Sequence, residues 1–421
     1  MKSNYAQKML DALSSGQLDQ AQHLFAQSLR NDDDDLIYSL AEELYALGFL
    51  NQSRRAYKKL LEKYPEEDEI RAALADIAIE DGEIDEAQNY LAQVQPNSSS
   101  YLRSLLVKAD IYQTEGLNES AEYSLLQAEN IAPEEDVIQF ALAEFYFANQ
   151  SFQQAISRYR ALLLKGQREI SRVDIVARIG VAYAQIGNYD HAIGYLEQIK
   201  PERMTLDIRF QLAILYQETQ RENEAMTLFN EILDSDPKYT SVYPLLGKTY
   251  EQLHQIEDAY RTYQAGLVQD ETNIQLYRLA ATAAQKTGDL DAAENYYLKA
   301  LTIDDADVTT ILNLTDLYLA QKRFNEVISY MTKYLADDLT DPQFYWTLAR
   351  AYQAVGDERK AQQYWHDAAP LFEENVQFLL DLINWYHQQG KQDLEIETLK
   401  QYLFLEPNDS EMQMRLEDLA F

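Results

Sequence analysis

The residues in this 421-residue chain best suited to chemistry are carboxylates, and four of them keep a constant interval: Glu42, Asp76, Asp110 and Glu144 stand 34 residues apart. A ladder of acids at one spacing offers repeated charge-assisted contacts to lysine or arginine, each worth roughly 1.5 to 3 kcal/mol when well placed. Acid–base catalysis would need paired acids or an acid beside a base. The five histidines, His23, His191, His254, His366 and His387, fall at unrelated phases, and none sits in an HExxH-like signature, so each reads as a packing or surface residue. No phosphate loop, dinucleotide fingerprint or nucleophile elbow occurs, and glycines punctuate turns instead. With no cysteine in the chain, disulfides, thiolate metal sites and cysteine nucleophiles are excluded. The run Asn31 to Asp35, NDDDD, lacks the glycine-centred loop of a cation site and stands where a helix begins, so helix capping accounts for it. The expectation is a non-enzymatic protein with no cofactor and no metal.

The constant interval implies a repeated element that positions each acid. Thr272 to Asp305, TNIQLYRLAATAAQKTGDLDAAENYYLKALTIDD, shows it most plainly. Asn273 caps a first helix that runs through Lys286, Gly288 makes a tight turn, and Asp291 opens a second helix reaching about Ile303. With Gly288 as anchor, equivalent turns fall at Gly16, Gly48, Gly82, Gly116, Gln150, Gly187, Gln220, His254, Lys322, Gly356 and Gly390, which makes 12 units. Five residues past the anchors stand Ala21, Ser53, Ala87, Ala121, Ala155, Ala192, Ala225, Ala259, Ala293, Val327, Ala361 and Glu395. A small residue there lets the second helix approach the first, and Tyr297, nine past its anchor, fills the space beyond. Tyrosine recurs four residues before the anchor, and Pro65, Pro133, Pro237 and Pro407 stop second helices. Each helix has a half-buried apolar stripe that one hairpin cannot cover, so every hairpin needs a neighbour on each side.

These residues and their spacing resemble the tetratricopeptide repeat (TPR) family over roughly residues 2 to 407. The resemblance implies an all-α fold, a right-handed α-solenoid superhelix of tandem TPR helical hairpins, as in bacterial cytoplasmic TPR scaffolds. For function it implies a protein-binding or peptide-binding scaffold.

Composition narrows the partners. The net charge of -34, from 36 basic and 70 acidic residues, disfavours nucleic acid and anionic membranes and suits basic partner segments. The start MKSNYAQKML lacks the apolar core of a signal peptide, and no run approaches a membrane span, so a cytoplasmic location is expected. The expected partner is a protein or peptide, and the expected state a monomer or weak dimer.

Four segments follow from the period. Repeats 1 to 5 occupy residues 2–164, and repeats 6 to 12 occupy 173–407. Between them the anchor interval lengthens from 34 to 37 across 165–172, KGQREISR, the most basic stretch of the chain and a candidate hinge. Residues 408–421 form a capping helix, with Met412, Leu416 and Leu419 on one face. The last repeat is atypical, since Glu395 replaces its small residue.

In a stacked array the first helices line the concave groove, and residues ten, six and three before each anchor point into it. In the N-terminal half this selects Tyr38, Glu42, Tyr45, Asp76, Asp110, Phe140, Glu144 and Phe147. In the C-terminal half it selects Phe210, Lys248, Arg278, Trp346 and Arg350, so the charge inverts along the groove. Aromatics beside acids suggest recognition. The lysine and asparagine clamp with which some family members hold acidic chaperone tails has the opposite sign, so the expected ligand is an extended or helical segment with spaced lysine or arginine and apolar anchors. Two rival readings are a peptide-sensing regulator whose compaction changes on binding and a structural subunit of a larger assembly. A first repeat starting at about residue 2 counts against the former, and polar end caps count against open-ended stacking.

Overall fold

The computed structural model describes residues 4–336 and 341–420, so residues 2 and 3 of the expected first repeat and Phe421 at the end of the expected cap lie outside the described residues. Packing divides the chain into two units, Met1–Met204 and Thr205–Phe421. Each is an all-α repeat solenoid. The first unit runs through six hairpins, from Tyr5–Ser14 with Leu18–Asn31 to Ile175–Gln185 with Tyr189–Leu196. The second runs through six more, from Leu206–Glu218 with Glu222–Ser235 to Val376–Gln388 with Gln392–Leu405, and then a last helix, Ser410–Ala420. Within a unit, helices pack chiefly against their chain neighbours.

The turn chemistry follows from the backbone. All 12 expected anchors have positive φ, between 59° at Gln150 and Gln220 and 86° at Gly288. Glycine takes this left-handed region without strain, whereas Gln150, Gln220, His254 and Lys322 take it as single-residue helix terminators at a cost of roughly 1 to 2 kcal/mol each. Helix capping is equally local. Asn273 Oδ1 accepts from Leu276 N at 3.1 Å. The second helix of that hairpin begins at Leu290 and is capped by Asp289, which accepts from Ala292 N at 3.0 Å, so Asp291 sits in its first turn. Helices end at Lys63, Ile131, Ser235 and Leu405, each two residues before a proline, whose ring disfavours helical geometry in the residue preceding it.

The column five past the anchor is buried throughout, including Val327 and Glu395. It faces the small column seven before the anchor: Ser53 Oγ donates to Ala41 O at 2.7 Å. Two glycines in that earlier column show how close the helices come. A Cβ on Gly180 would fall 2.5 Å from Leu196, and one on Gly247 would fall 2.1 Å from the Tyr263 ring. Nine past the anchor, Phe25, Tyr57, Tyr159, Phe229, Tyr263, Tyr297 and Trp365 fill the core. Two of the tyrosines there donate their hydroxyls to groove carboxylates, Tyr159 to Glu144 and Tyr263 to Glu251 at 3.1 Å, while the Tyr297 hydroxyl meets that of Thr282 at 3.4 Å.

Capping takes two aspartates of the acidic run. Asp32 accepts from Tyr5 N at 3.1 Å and Ala6 N at 2.7 Å, while Asp33 accepts from Leu36 N at 3.1 Å. Asp34 binds Lys63 and the Tyr64 hydroxyl, and these bonds hold its carboxyl below the usual range.

The basic insertion is not a plain loop. Glu169–Ile170 and Val173–Asp174 pair as a two-stranded antiparallel ribbon, with Ser171 and Arg172 at φ 50° and 65° in its turn. Two consecutive positive φ values match the twist of a tight hairpin. Residues 165–172 lie inside the first unit, where Phe152–Leu164 packs on Ile175–Gln185, and the division by packing falls between Met204 and Thr205.

Candidate functional site

In the first unit the helices Asp34–Ala46, Asp68–Glu80 and Tyr101–Thr114 present their outward positions to one pocket of about 550 Å³. Three expected site residues meet there: Tyr45, Asp76 and Asp110. Glu80 and Glu115 add two more carboxylates, Arg103 is the one cation among the lining residues, and Ile79, Ile84, Val107 and Ile111 form an apolar wall. Four acids against one base leave the pocket strongly negative.

The acids are not equivalent. Tyr45 Oη donates to Glu80 at 2.6 Å, and burial together with that bond pushes the tyrosine up to about 12. Gln88 donates to Glu115 at 2.9 Å. Asp76 pairs with Arg103, yet the arginine side chain is 63% exposed while the aspartate is 17% exposed. Burial therefore still raises the Asp76 carboxyl, with Glu80 adding to the shift and Arg103 opposing it. Among the described residues the Asp110 carboxylate has no hydrogen-bond partner; it is exposed to solvent, yet partial desolvation by the surrounding hydrocarbon still pushes its pKa up. It is the least compensated charge of the four.

The other expected positions divide into open and closed. Glu42 is exposed, and Tyr38 lies half-buried, edge-on to Tyr57 with ring centroids 5.7 Å apart; burial and then Glu69, Glu42 and Glu67 raise its pKa. Glu144 is occupied: Arg178 binds it twice, at 3.0 and 2.8 Å, and the Tyr159 hydroxyl donates to it. Phe147 is covered by the Arg178 guanidinium 4.6 Å from its ring centroid. Phe140 is 9% exposed against Tyr159 and belongs to the core, which corrects the expectation of an aromatic presented to a ligand.

In the second unit most of the expected cations are neutralised within the fold. Arg278 donates to both oxygens of Asp307 at 3.0 and 2.9 Å, and Asp307 also caps Val308–Ala320. Trp346 is 7% exposed, packed on Phe372 and Phe378, and its Nε1 donates to Asp381 at 3.2 Å; this too corrects an expected surface aromatic. Arg350 Nε lies 3.7 Å from the same carboxylate. Phe210 is half-buried on Phe229 and Tyr239. Lys248 stays exposed. The inversion of charge read from the sequence is thus largely cancelled by acids on the following hairpins.

The sequence reading missed Arg103, Val107, Glu80 and Glu115. A signal existed, since Arg103, Val107, Asp110 and Thr114 follow at intervals of 4, 3 and 4 on one helix face, so extending outward from Asp110 finds them. His387 was also taken alone. Its Nδ1 lies 3.1 Å from buried Glu395, which Arg415 of the last helix also binds, Nε to Oε1 at 2.9 Å. That cluster replaces the missing small residue and ties down the terminal helix, whose Met412, Leu416 and Leu419 pack on the core. Among the described residues no group of three His, Cys, Asp or Glu side chains could hold a metal ion, and no helix is long and apolar enough to cross a membrane.

Family models match several stretches. A YpiA-like tetratricopeptide-repeat model covers residues 113–167, a YpiA-like C-terminal one covers 342–409, and a general tetratricopeptide-repeat model covers 206–239 and 274–307. A model of the ARM repeat of tetratricopeptide repeat protein 21 covers 3–125. The chain is 28% identical over 396 residues to the TPR repeat-containing protein YpiA of Bacillus subtilis, covering 93% of each chain. Among solved structures it is similar to the C-terminal part of a TPR repeat-containing protein from Cytophaga hutchinsonii, at TM-score 0.42 and 14% identity over 65% of this chain and 97% of that one. A crystal structure of the MamA protein gives TM-score 0.37 and 18% identity over 41% and 94%.

Proposed function

The chain is a tetratricopeptide-repeat protein, and from that premise we propose that it is a non-enzymatic cytoplasmic scaffold whose first unit captures a partner segment carrying lysine or arginine beside apolar residues. The observation that carries this reading is the Asp110 pocket. Four carboxylates face one arginine there, against an aliphatic wall. Such a surface costs the free protein desolvation and repulsion, and a cationic side chain with an apolar neighbour relieves both. Structural need does not account for the Asp110 carboxylate, which bonds no other described residue, whereas Glu144 on the same ladder is fully engaged. The same negative field disfavours nucleic acid and anionic lipid as partners, and the protein acts as a monomer or weak dimer.

The test is affinity capture from native lysate, comparing the wild type with a triple Glu42→Lys, Asp76→Lys, Asp110→Lys variant, with circular dichroism to verify folding. A partner retained by the wild type and lost by the variant supports the reading. The same proteins retained by both would contradict it.

A further inference from the structure

We propose that the pocket around Asp316 in the second unit is a separate binding site, for an extended peptide segment that carries a single lysine or arginine among uncharged residues. It goes beyond the first-unit reading and stands on different residues. The helices Ile274–Thr287, Leu290–Ile303 and Val308–Ala320 enclose a pocket of about 560 Å³. Its polar lining is Thr282, Gln285, Tyr297, Asn313, Asp316 and Gln321.

Three features point to a ligand of this kind. Among the described residues the Asp316 carboxylate has no hydrogen-bond partner, and partial desolvation raises its pKa, with Arg350, one repeat further on, opposing the shift. Two other carboxylates in the same stretch are closed: Asp307 by Arg278, and Glu294 by Arg323 at 2.6 Å and the Tyr318 hydroxyl at 2.8 Å. Asp316 is thus an exposed anion on the pocket lining with no hydrogen-bonded counterion among the described residues, and one cationic side chain supplies it.

Among the described residues the side-chain amides of Gln285 and Asn313 likewise have no partner, and Gln321 uses only its carbonyl, which accepts from Arg323 at 3.0 Å. Side-chain amides both donate and accept, as main-chain N–H and C=O groups do, so they match the polar edge of an extended peptide. Leu290, Leu317 and Ala320 give that peptide an apolar floor. One acid among amides selects a single charge, whereas four acids in the first-unit pocket select several.

The experiment uses fluorescence anisotropy on the full chain with two labelled nonapeptides, one holding a single lysine among serine, asparagine and leucine, the other holding four lysines alternating with leucine. Thermal denaturation verifies that Asp316→Asn and Asp110→Asn fold, as expected for groups that hold nothing in place. The proposal predicts that Asp316→Asn weakens the single-lysine peptide by about tenfold or more and leaves the four-lysine peptide within about twofold of wild type. Gln285→Ala with Asn313→Ala should give a smaller loss for the single-lysine peptide. Equal binding of that peptide to wild type and Asp316→Asn, or no binding to wild type, would overturn it. Loss of the four-lysine peptide in Asp110→Asn reports separately on the first-unit site, so the two readings fail independently.

Discussion

The first-unit pocket around Asp110 and the second-unit positions around Arg278 and Arg350 occupy equivalent places on the same repeated backbone, yet they treat charge in opposite ways. In the second unit Arg278 grips Asp307 and Arg350 leans on Asp381, so each charge is used to join one hairpin to the next. In the first unit the Asp110 carboxylate joins no other described residue, and Asp76 is met by an arginine that is itself mostly in water. Helix stacking needs only the small and aromatic columns beneath. The outward positions are therefore free to close on a neighbour or remain open to a partner, and openness distinguishes a candidate site from a structural ion pair.

The comparison breaks first if the shared frame is wrong. Ala155→Leu in the first unit and Ala293→Leu in the second should each lose roughly 1 to 3 kcal/mol in urea unfolding, because both sites are fully buried and face the opposite helix. Unchanged midpoints in both variants would mean that the column is not the contact between helices.

A second contrast separates the two arginines. Arg278 is 26% exposed and Asp307 17%, so Arg278→Met should cost about 1 to 2 kcal/mol by stranding a partly buried carboxylate that also caps a helix. Arg103→Met should cost clearly less, because its 63% exposed guanidinium is already screened by water and Asp76 caps no helix, and it should tighten binding of a four-lysine peptide by removing the competing cation. Equal destabilisation by the two would erase the distinction.

How much of this was legible follows from which residues carry the signal. The turn at Gly288 and the column through Ala293 were readable because backbone geometry and close approach restrict the residue types that fit. The same period correctly placed left-handed turns at Gln150, Gln220, His254 and Lys322, where residue type alone argues otherwise. The small ribbon at 169–174 escaped notice because Ser171 and Arg172 are not the glycine or asparagine that such turns favour. Burial of Trp346 and Phe140 was not legible either, since it depends on Phe378 and Tyr159 arriving from other helices. The pairing of Arg278 with Asp307 could have been suspected, because 29 residues separate a first helix from the cap of the next one.

A finer effect comes from pH. Burial raises Asp110 in the folded state above its ordinary value of 3.8, so the folded protein holds that proton more tightly than the unfolded chain does. The group's favourable contribution is complete below 3.8 and is lost as pH rises through the raised value. Asp110→Asn should therefore be at least as stable as wild type at pH 7, and its small advantage should shrink towards pH 4 in urea titrations. A variant less stable than wild type at pH 7 would show that Asp110 has a structural partner after all.

The most direct measurement is the salt dependence of four-lysine peptide binding to the full chain, as the slope of log Kd against log salt between about 50 and 300 mM, for wild type, Asp110→Asn and Asp316→Asn. The account predicts affinity that falls with salt in wild type and Asp316→Asn alike, and in Asp110→Asn weaker binding with a shallower slope. A salt-independent wild type, or an Asp110→Asn variant indistinguishable from it, would contradict the claim that the first-unit acids are held open for a cationic partner.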